Sequence, residues 1–392
     1  MRGIYGRCHS GDRGRERSAR AVPACATLLC VLVAAALLFT SCGTRELEPS
    51  LQVKVEKVAD RLMGEYRAPG VIIGVWSREQ GDFTLVRGLA DVKSREPMDA
   101  GLAFRAGSIT KTFTGNVVLQ LVDEGRVGLD DPVDRYVRGV PGGGEITVRM
   151  LLNNTSGLFN YGEDEQVIAE LERNPERKWT PRELVEVATS HPPYFPPGEG
   201  CYYSNTNYVL LGMMIEKVTG RTFAEEVNAR VAETVGLADT YVAEGTGLEG
   251  VYSHGYGLLL PDDEELADLT NHMDTSIVWS AGAAVSSMED LRMWAAVLAE
   301  GELLEPGTVR EMKEWVDLPG AEGVAAYGLG VMKFGDFIGH DGMFQGYNAA
   351  MFHLPEEDAT IVVFANVSDA SDPALLAFLQ IAKDLFPGHV TW

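Results

Sequence analysis

The sequence predicts an α+β fold: an antiparallel five-stranded sheet flanked by helices, with an inserted, mostly helical lobe. Three observations predict it. Strand-like apolar runs lie near the two ends of the chain. The middle, about residues 126–250, reads as helices and long loops. Between the first strands and that middle stands a helical stretch, Phe104 to Glu124, that is apolar on nearly every face. Such a helix is buried inside a protein, not laid on its surface. Strands from both ends would form one sheet and helices from both ends would cover it. The cleft between sheet and lobe is where a site is expected.

Residues 1–42 read as a targeting segment. Arg2, Arg7, Arg13, Arg15, Arg17 and Arg20 make a basic start, and Ala21 to Thr40 is uncharged and mostly apolar. Thr40-Ser41-Cys42-Gly43 resembles a bacterial lipobox, in which Cys42 would carry lipid, although Phe39 stands where Leu is usual. Plain secretion and an uncleaved membrane anchor are the alternatives. All three place the domain outside the cytoplasm, in the cell envelope or beyond. Cys8, Cys25 and Cys30 fall in the same segment. Cys201 is then the lone cysteine of the folded part, which rules out a disulfide within it.

The elements follow in order. Residues 43–50 read as a short polar linker, and 51–392 as one domain. Leu51 to Arg67 is an amphipathic helix. Val71 to Ser77 and Phe83 to Val92 are apolar runs joined by Arg78-Glu79-Gln80-Gly81-Asp82, a hairpin pattern. In the lobe, Thr180-Pro181-Arg182-Glu183 and Thr222-Phe223-Ala224-Glu225 are capping boxes. The Pro-rich loop His191 to Gly200 leads to a helix over about Thr206 to Val218. Helices return at Ser287 to Ala299 and Pro306 to Val316. Tyr327 to Phe334, Gly346 to His353 and Thr360 to Asn366 read as strands, and Pro373 to Leu385 as a last helix.

Composition excludes several functions. The 392 residues are 45% hydrophobic and 23% charged, with a net charge of −24. No run of Lys and Arg interleaves with aromatics, so a nucleic-acid partner is not expected. No HExxH, Walker A, GxGxxG or GxSxG run occurs and the histidines are scattered, so neither a metal nor a cofactor is implied.

The chemistry concentrates at Ser108 and Lys111, one helical turn apart on one face. A helix start also offers free N–H groups and a positive dipole end. A hydroxyl, an amine and backbone donors at one buried point suit an activated serine nucleophile. From Thr112 to Val122 no residue is charged, so burial would lower the Lys111 pKa and make it a base. The plainer reading makes Ser108 a helix cap and Lys111 a snorkelling side chain.

The order Ser108-Ile109-Thr110-Lys111, Tyr203-Ser204-Asn205, His340-Asp341-Gly342 resembles the penicillin-recognising serine hydrolases. These include class C β-lactamases, serine D-Ala-D-Ala carboxypeptidases and related esterases. The likeness covers roughly residues 52–386 and extends to Leu151 through Leu158 and Ser280 through Ala283. It implies Ser108 as the acylated nucleophile, with Lys111 assisting its deprotonation. Tyr203, its pKa lowered by a cationic Lys111, would relay the proton to the leaving group. Asn205 would bond the substrate's acyl amide. His340 would bind a substrate carboxylate or tune Tyr203, and Gly342 would let its strand approach the substrate. The N–H groups of Ser108 and Met343 would form the oxyanion hole. Asp341 departs from the hydroxyl residue usual there, which puts recognition of penicillin-like or D-Ala-ended substrates in question. The implied activity is a D-Ala-D-Ala carboxypeptidase-like hydrolase acting on a peptidoglycan peptide or small molecule. An esterase or a β-lactamase comes next, and an idle peptidoglycan-binding lipoprotein is the alternative of another class.

Overall fold

The computed structural model describes residues 45–259 and 265–392. The expected targeting segment, residues 1–42 with Cys42, lies outside the described residues. The domain opens with helix α1 (Pro49–Gly64) and strands β1 (Gly70–Ser77), β2 (Phe83–Asp91) and β3 (Glu96–Pro97). It closes with β4 (Val316–Asp317), β5 (Ala325–Tyr327), β6 (Met332–Phe334), β7 (Phe337–Phe344), β8 (Tyr347–Leu354) and β9 (Ala359–Ala365).

These strands form one antiparallel sheet in the order β3-β2-β1-β9-β8-β7-β6-β5-β4. The sheet therefore has nine strands, not five. The difference has a physical cause. Gly328 and Gly330 break the expected run from Tyr327 to Phe334, leaving β5 and β6 apart. Strand β7 reads FIGHDGMF, whose two glycines and adjacent His-Asp spoil any β-forming pattern. Its pairing with β8, from Ile338 opposite His353 to Phe344 opposite Tyr347, supplies what the sequence lacks. The linker is also shorter than expected. Leu47 is buried and its N–H bonds the Asp82 carbonyl at 3.1 Å, so residues from 46 on belong to the domain.

Alternation along the strands separates two faces. Helix α11 (Pro373–Leu385) packs with α1 on one face, where Phe378 stacks on Phe352 at 4.1 Å. The other face receives α9 (Met288–Glu300) and the segment ahead of helix α2 (Thr110–Asp123), where Phe104 stacks on Phe364 at 3.8 Å. Eleven residues of α2 are buried, as its uncharged run demands.

The lobe holds α3 (Val148–Leu152), α4 (Glu165–Arg173), α5 (Pro181–Thr189), α6 (Asn205–Thr219), α7 (Phe223–Val227) and α8 (Glu233–Val235). Both expected capping boxes are formed, at Thr180 with Glu183 and Thr222 with Glu225. A small sheet ties the lobe to the nucleophile segment. Phe104–Arg105 pairs with Ala284–Ser286, which pairs in turn with Tyr241–Val242. Helix α10 (Pro306–Met312) leads back to the main sheet.

Candidate active site

Ser108 sits in a 3-10 turn, Gly107–Ile109, that runs straight into α2. Two close approaches fix this turn against β7. Gly107 has φ +52°, and a Cβ there would lie 2.6 Å from the Met343 nitrogen. A Cβ on Gly342 would lie 2.0 Å from the Ala106 carbonyl oxygen and 3.0 Å from the Ser108 nitrogen. Only glycine fits either position without a backbone shift. The backbone nitrogens of Ser108 and Met343 are thus held beside each other, as an oxyanion hole needs. The Met343 side chain itself is 49% exposed.

Lys111, in the first turn of α2, is fully buried. Its Nζ lies 3.1 Å from Ser108 Oγ and donates to the Ala281 carbonyl at 2.7 Å. It also lies over the rings of Tyr203, at 4.7 Å, and Tyr208, at 5.4 Å. Burial lowers its pKa to about 7, against a smaller opposing pull from Asp341. An amine in that range is partly unprotonated near neutrality, with a lone pair for the Ser108 proton.

Tyr203 stands in the loop before α6 and its hydroxyl shares a hydrogen bond with Ser108. Its pKa moves opposite to expectation. Burial raises it well above the ordinary tyrosine value, and the charge of Asp341 adds to the rise, while the Ser108 bond only partly offsets them. No pull from Lys111 offsets the rise. Tyr203 is therefore a phenol here, and of the two Lys111 is the group suited to accept a proton from Ser108.

Asn205 opens α6 as its first residue, and its N–H is bonded by Asn160 Oδ1 at 3.2 Å. Its half-buried side chain lies on the lobe side, near Gly162.

His340 is 1% exposed. Its Nδ1 is 2.6 Å from the Asp341 carbonyl oxygen and its Nε2 is 2.9 Å from Tyr327 Oη. Burial lowers its pKa to about 4; Lys111 also lowers it, and Asp341 opposes both. At neutral pH it carries no charge to offer a carboxylate. Strand alternation sends Asp341 toward the α11 side. There Asp372, the N-cap of α11, shares a hydrogen bond with it. Burial, then Asp341, raises the Asp372 pKa to about 9, so this carboxyl keeps its proton.

Sequence reasoning missed Tyr208, Tyr327, the Ala281 carbonyl and Asp372. Tyr327-Gly328-Leu329-Gly330, an aromatic residue before two glycines, was the available signal for Tyr327. Asp372 before Pro373 signals only a helix cap. Among the described residues no group of three or more His, Cys, Asp and Glu is arranged to hold a metal. A wide cleft of about 810 Å³, lined by Asp164, Glu170, Arg177, Trp179 and His191, lies along α4 and α5 and does not include Ser108.

Comparisons with known proteins bear on the family and the fold. A family model described as Beta-lactamase matches residues 55–385. The structure of a D-stereospecific amidohydrolase from Streptomyces sp. superposes with a TM-score of 0.77 at 30% identity, over 86% of this chain and 99% of that one. A penicillin-binding protein of Bacillus subtilis (strain 168) is 26% identical over 77% of this chain and 69% of its own length. A D-aminopeptidase of Brucella anthropi is 27% identical over 83% of this chain, which spans 61% of that relative.

Proposed function

The chain belongs to the beta-lactamase family of serine hydrolases, and from that premise we propose that it is an amidohydrolase for amides or short peptides of D-amino acids, working through an acyl-enzyme on Ser108. The observation that carries the reaction is Ser108 Oγ placed between Lys111 Nζ, at 3.1 Å, and the Tyr203 hydroxyl. Neutral Lys111 takes the serine proton as Oγ attacks the acyl carbon. The oxyanion forms against the Ser108 and Met343 N–H groups. Tyr203, still a phenol, donates to the departing amine and regains its proton from Lys111. Water then repeats the sequence on the ester. The intact pair of base and nucleophile argues against an idle binding protein.

The polarity of the site favours amides over acids. A carboxypeptidase or β-lactamase must hold a free carboxylate beside this strand. Here the strand offers a neutral His340 and the negative charge of Asp341, felt at Lys111, Tyr203, Tyr327 and His340. Relatives named D-aminopeptidase and D-stereospecific amidohydrolase support a D-amino-acid substrate with a free amino group.

Turnover of D-alanine amide, an N-acylated peptide ending in a D-Ala-D-Ala carboxylate, and nitrocefin tests the reading. Expected is a kcat/KM for the amide at least about tenfold above the other two, with His340→Lys narrowing the gap. Efficient nitrocefin hydrolysis without amide turnover would overturn it. We further propose that the domain works outside the cytoplasm on a lipid anchor at Cys42, supported by the uncharged run from Ala21 to Thr40. Unchanged membrane fractionation of Cys42→Ala would sink that placement.

A further inference from the structure

Behind the catalytic groups lies a hydrogen-bonded row that reaches from the lobe to the sheet. Tyr208 Oη is 2.8 Å from the Leu152 carbonyl oxygen. Tyr327 Oη is 3.2 Å from Tyr208 Oη and 2.9 Å from His340 Nε2. His340 Nδ1 is 2.6 Å from the Asp341 carbonyl oxygen. All three side chains are buried. The rings of Tyr327 and His340 flank Tyr203 at 6.2 and 6.3 Å between centroids.

The hydrogens of this row can be counted, because both of its ends are carbonyls. A carbonyl oxygen has no proton to give, so Tyr208 must donate to Leu152 and His340 Nδ1 must carry hydrogen for Asp341. A neutral ring then leaves a lone pair on Nε2, and Tyr327 must donate its one hydrogen there. Nothing is left to bridge Tyr327 and Tyr208, whose oxygens only touch. A second setting exists. With a proton on Nε2 the ring becomes the donor, and Tyr327 turns its hydrogen to Tyr208. Every contact is then bridged, at the expense of a buried imidazolium close to Lys111. The Tyr327 hydroxyl is the element that differs between the settings.

We propose that Tyr327 is a positioning residue for acylation: its hydroxyl fixes His340 as the neutral Nδ1–H ring and so keeps a positive charge on that ring out of the space shared by Lys111 and Tyr203. The groups facing His340 from its neighbours are Lys111 on α2, Tyr203 and Tyr208 at and within α6, Tyr327 on β5 and Asp341 on β7 itself. A cation at His340 would push Lys111 further from its protonated form and pull Tyr203 toward phenolate. With His340 neutral, the serine proton has one destination, Lys111. The proposal rests on Ser108 as the acylated residue and not on the identity of the acyl group.

Two measurements test it on the full chain. The first is the nitrogen NMR spectrum of the His340 ring in the unmodified protein. Expected at pH 7 is one protonated nitrogen, Nδ1, and one bare nitrogen, Nε2, with no change down to about pH 5. A protonated Nε2 at pH 7 would overturn the proposal, and this readout needs no substrate. The second compares Tyr327→Phe with Tyr208→Phe, using the rate of acylation by a fluorophosphonate probe. Tyr327→Phe removes the hydrogen that Nε2 accepts. It should slow acylation roughly tenfold at saturating probe, leave the half-saturating concentration within about twofold and move the His340 spectrum. Tyr208→Phe deletes a contact that carries no hydrogen to His340. It should leave the His340 spectrum unchanged. Equal disturbance of the His340 ring by both variants would mean that the row acts as packing only. If Tyr327→Phe fails to fold, the ring spectrum of the unmodified protein still decides.

Discussion

Two buried polar clusters meet near the start of α6, and they are built on opposite terms. One joins Asn153, Asn154, Thr155, Ser156 and Asn207. Ser156 Oγ donates to Asn207 Oδ1 at 2.6 Å, Asn207 Nδ2 to Asn154 Oδ1 at 3.0 Å, and Thr155 Oγ1 to Asn153 Oδ1 at 2.7 Å. None of its members titrates. The other is the catalytic cluster of Ser108, Lys111, Tyr203 and His340, in which every group but the serine is ionisable. There burial moves each pKa toward the uncharged form. The first cluster converts burial into rigidity, since its groups bond one another in a low dielectric. The second converts burial into reactivity and loses stability by it, because an amine taken out of water favours neutrality. The Leu151 to Leu158 stretch belongs to the first cluster. It holds the loop carrying Tyr203, through Asn154 Oδ1 accepting from the Ser204 N–H at 3.3 Å, without entering the chemistry.

The sharpest way to break this contrast is Lys111→Met. Acylation of Ser108 should fall by about 10³ or more, since the base is gone. Stability should rise in the same variant. The folded pKa of Lys111, about 7, lies below its unfolded value of 10.5. Between those values the unfolded chain holds more protons, so the cost of burying Lys111 is full below pH 7 and fades as pH rises toward 10.5. The variant should gain roughly 3–5 kcal/mol at most at pH 6 and much less near pH 10. Urea unfolding at the two pH values reads this directly. A variant less stable at pH 6 would show that Lys111 contributes packing and not strain.

Asn207→Ala probes the other side, with a smaller effect. It strips Ser156 and Asn154 of their partners in a fully buried place. The expected loss is about 2–4 kcal/mol, with the acid limb of the pH–rate profile still centred where Lys111 puts it. A shifted limb in a stably folded variant would mean that the two clusters are coupled.

The contrast also explains what the sequence could reveal. Ser108 and Lys111 were legible because a lysine at the head of an uncharged helix violates the ordinary rule for burial. The hairpin of β1 and β2, the capped helices and α11 were legible because their signals are local. Strand β7 was not. Gly342 admits Ala106 and Ser108 and Gly339 admits the Met351 carbonyl of β8, tertiary demands that erase the local strand pattern. The expected fall of the Tyr203 pKa failed for a related reason. Spacing gives proximity to Lys111 but not the burial that neutralises both. Tyr208, Tyr327 and Asp372 enter the site from three separate elements, and only the folded chain brings them together.

The smallest expected effect comes from Asp372, whose influence on the catalytic groups runs through Asp341. Its carboxyl shares a hydrogen bond with Asp341 and caps α11 through Oδ1, which accepts from the Leu375 N–H at 3.2 Å. Its folded pKa of about 9 lies above the ordinary carboxylate value of 3.8. The stability it lends is therefore complete below the unfolded value and is lost as pH rises through about 9. Ionisation there puts a second negative charge beside Asp341, which itself acts on Lys111 and Tyr203. Asp372→Asn isolates this titration. Asparagine keeps the acceptor for Leu375, offers Asp341 an N–H in place of the acid O–H, and tolerates the left-handed backbone at φ +53°. At pH 7 the variant should match the parent in kcat/KM within about twofold. Between about pH 4 and 9 the parent should lose stability relative to the variant, with the difference level above 9. Above pH 9 the parent should also lose up to roughly threefold in kcat/KM and the variant should not. A pH–rate profile from 7 to 10.5 on both proteins measures the difference. Superimposable alkaline limbs would mean that the Asp341–Asp372 pair does not titrate in the working range, and would leave Lys111 as the one group that sets the pH dependence of the catalytic cluster.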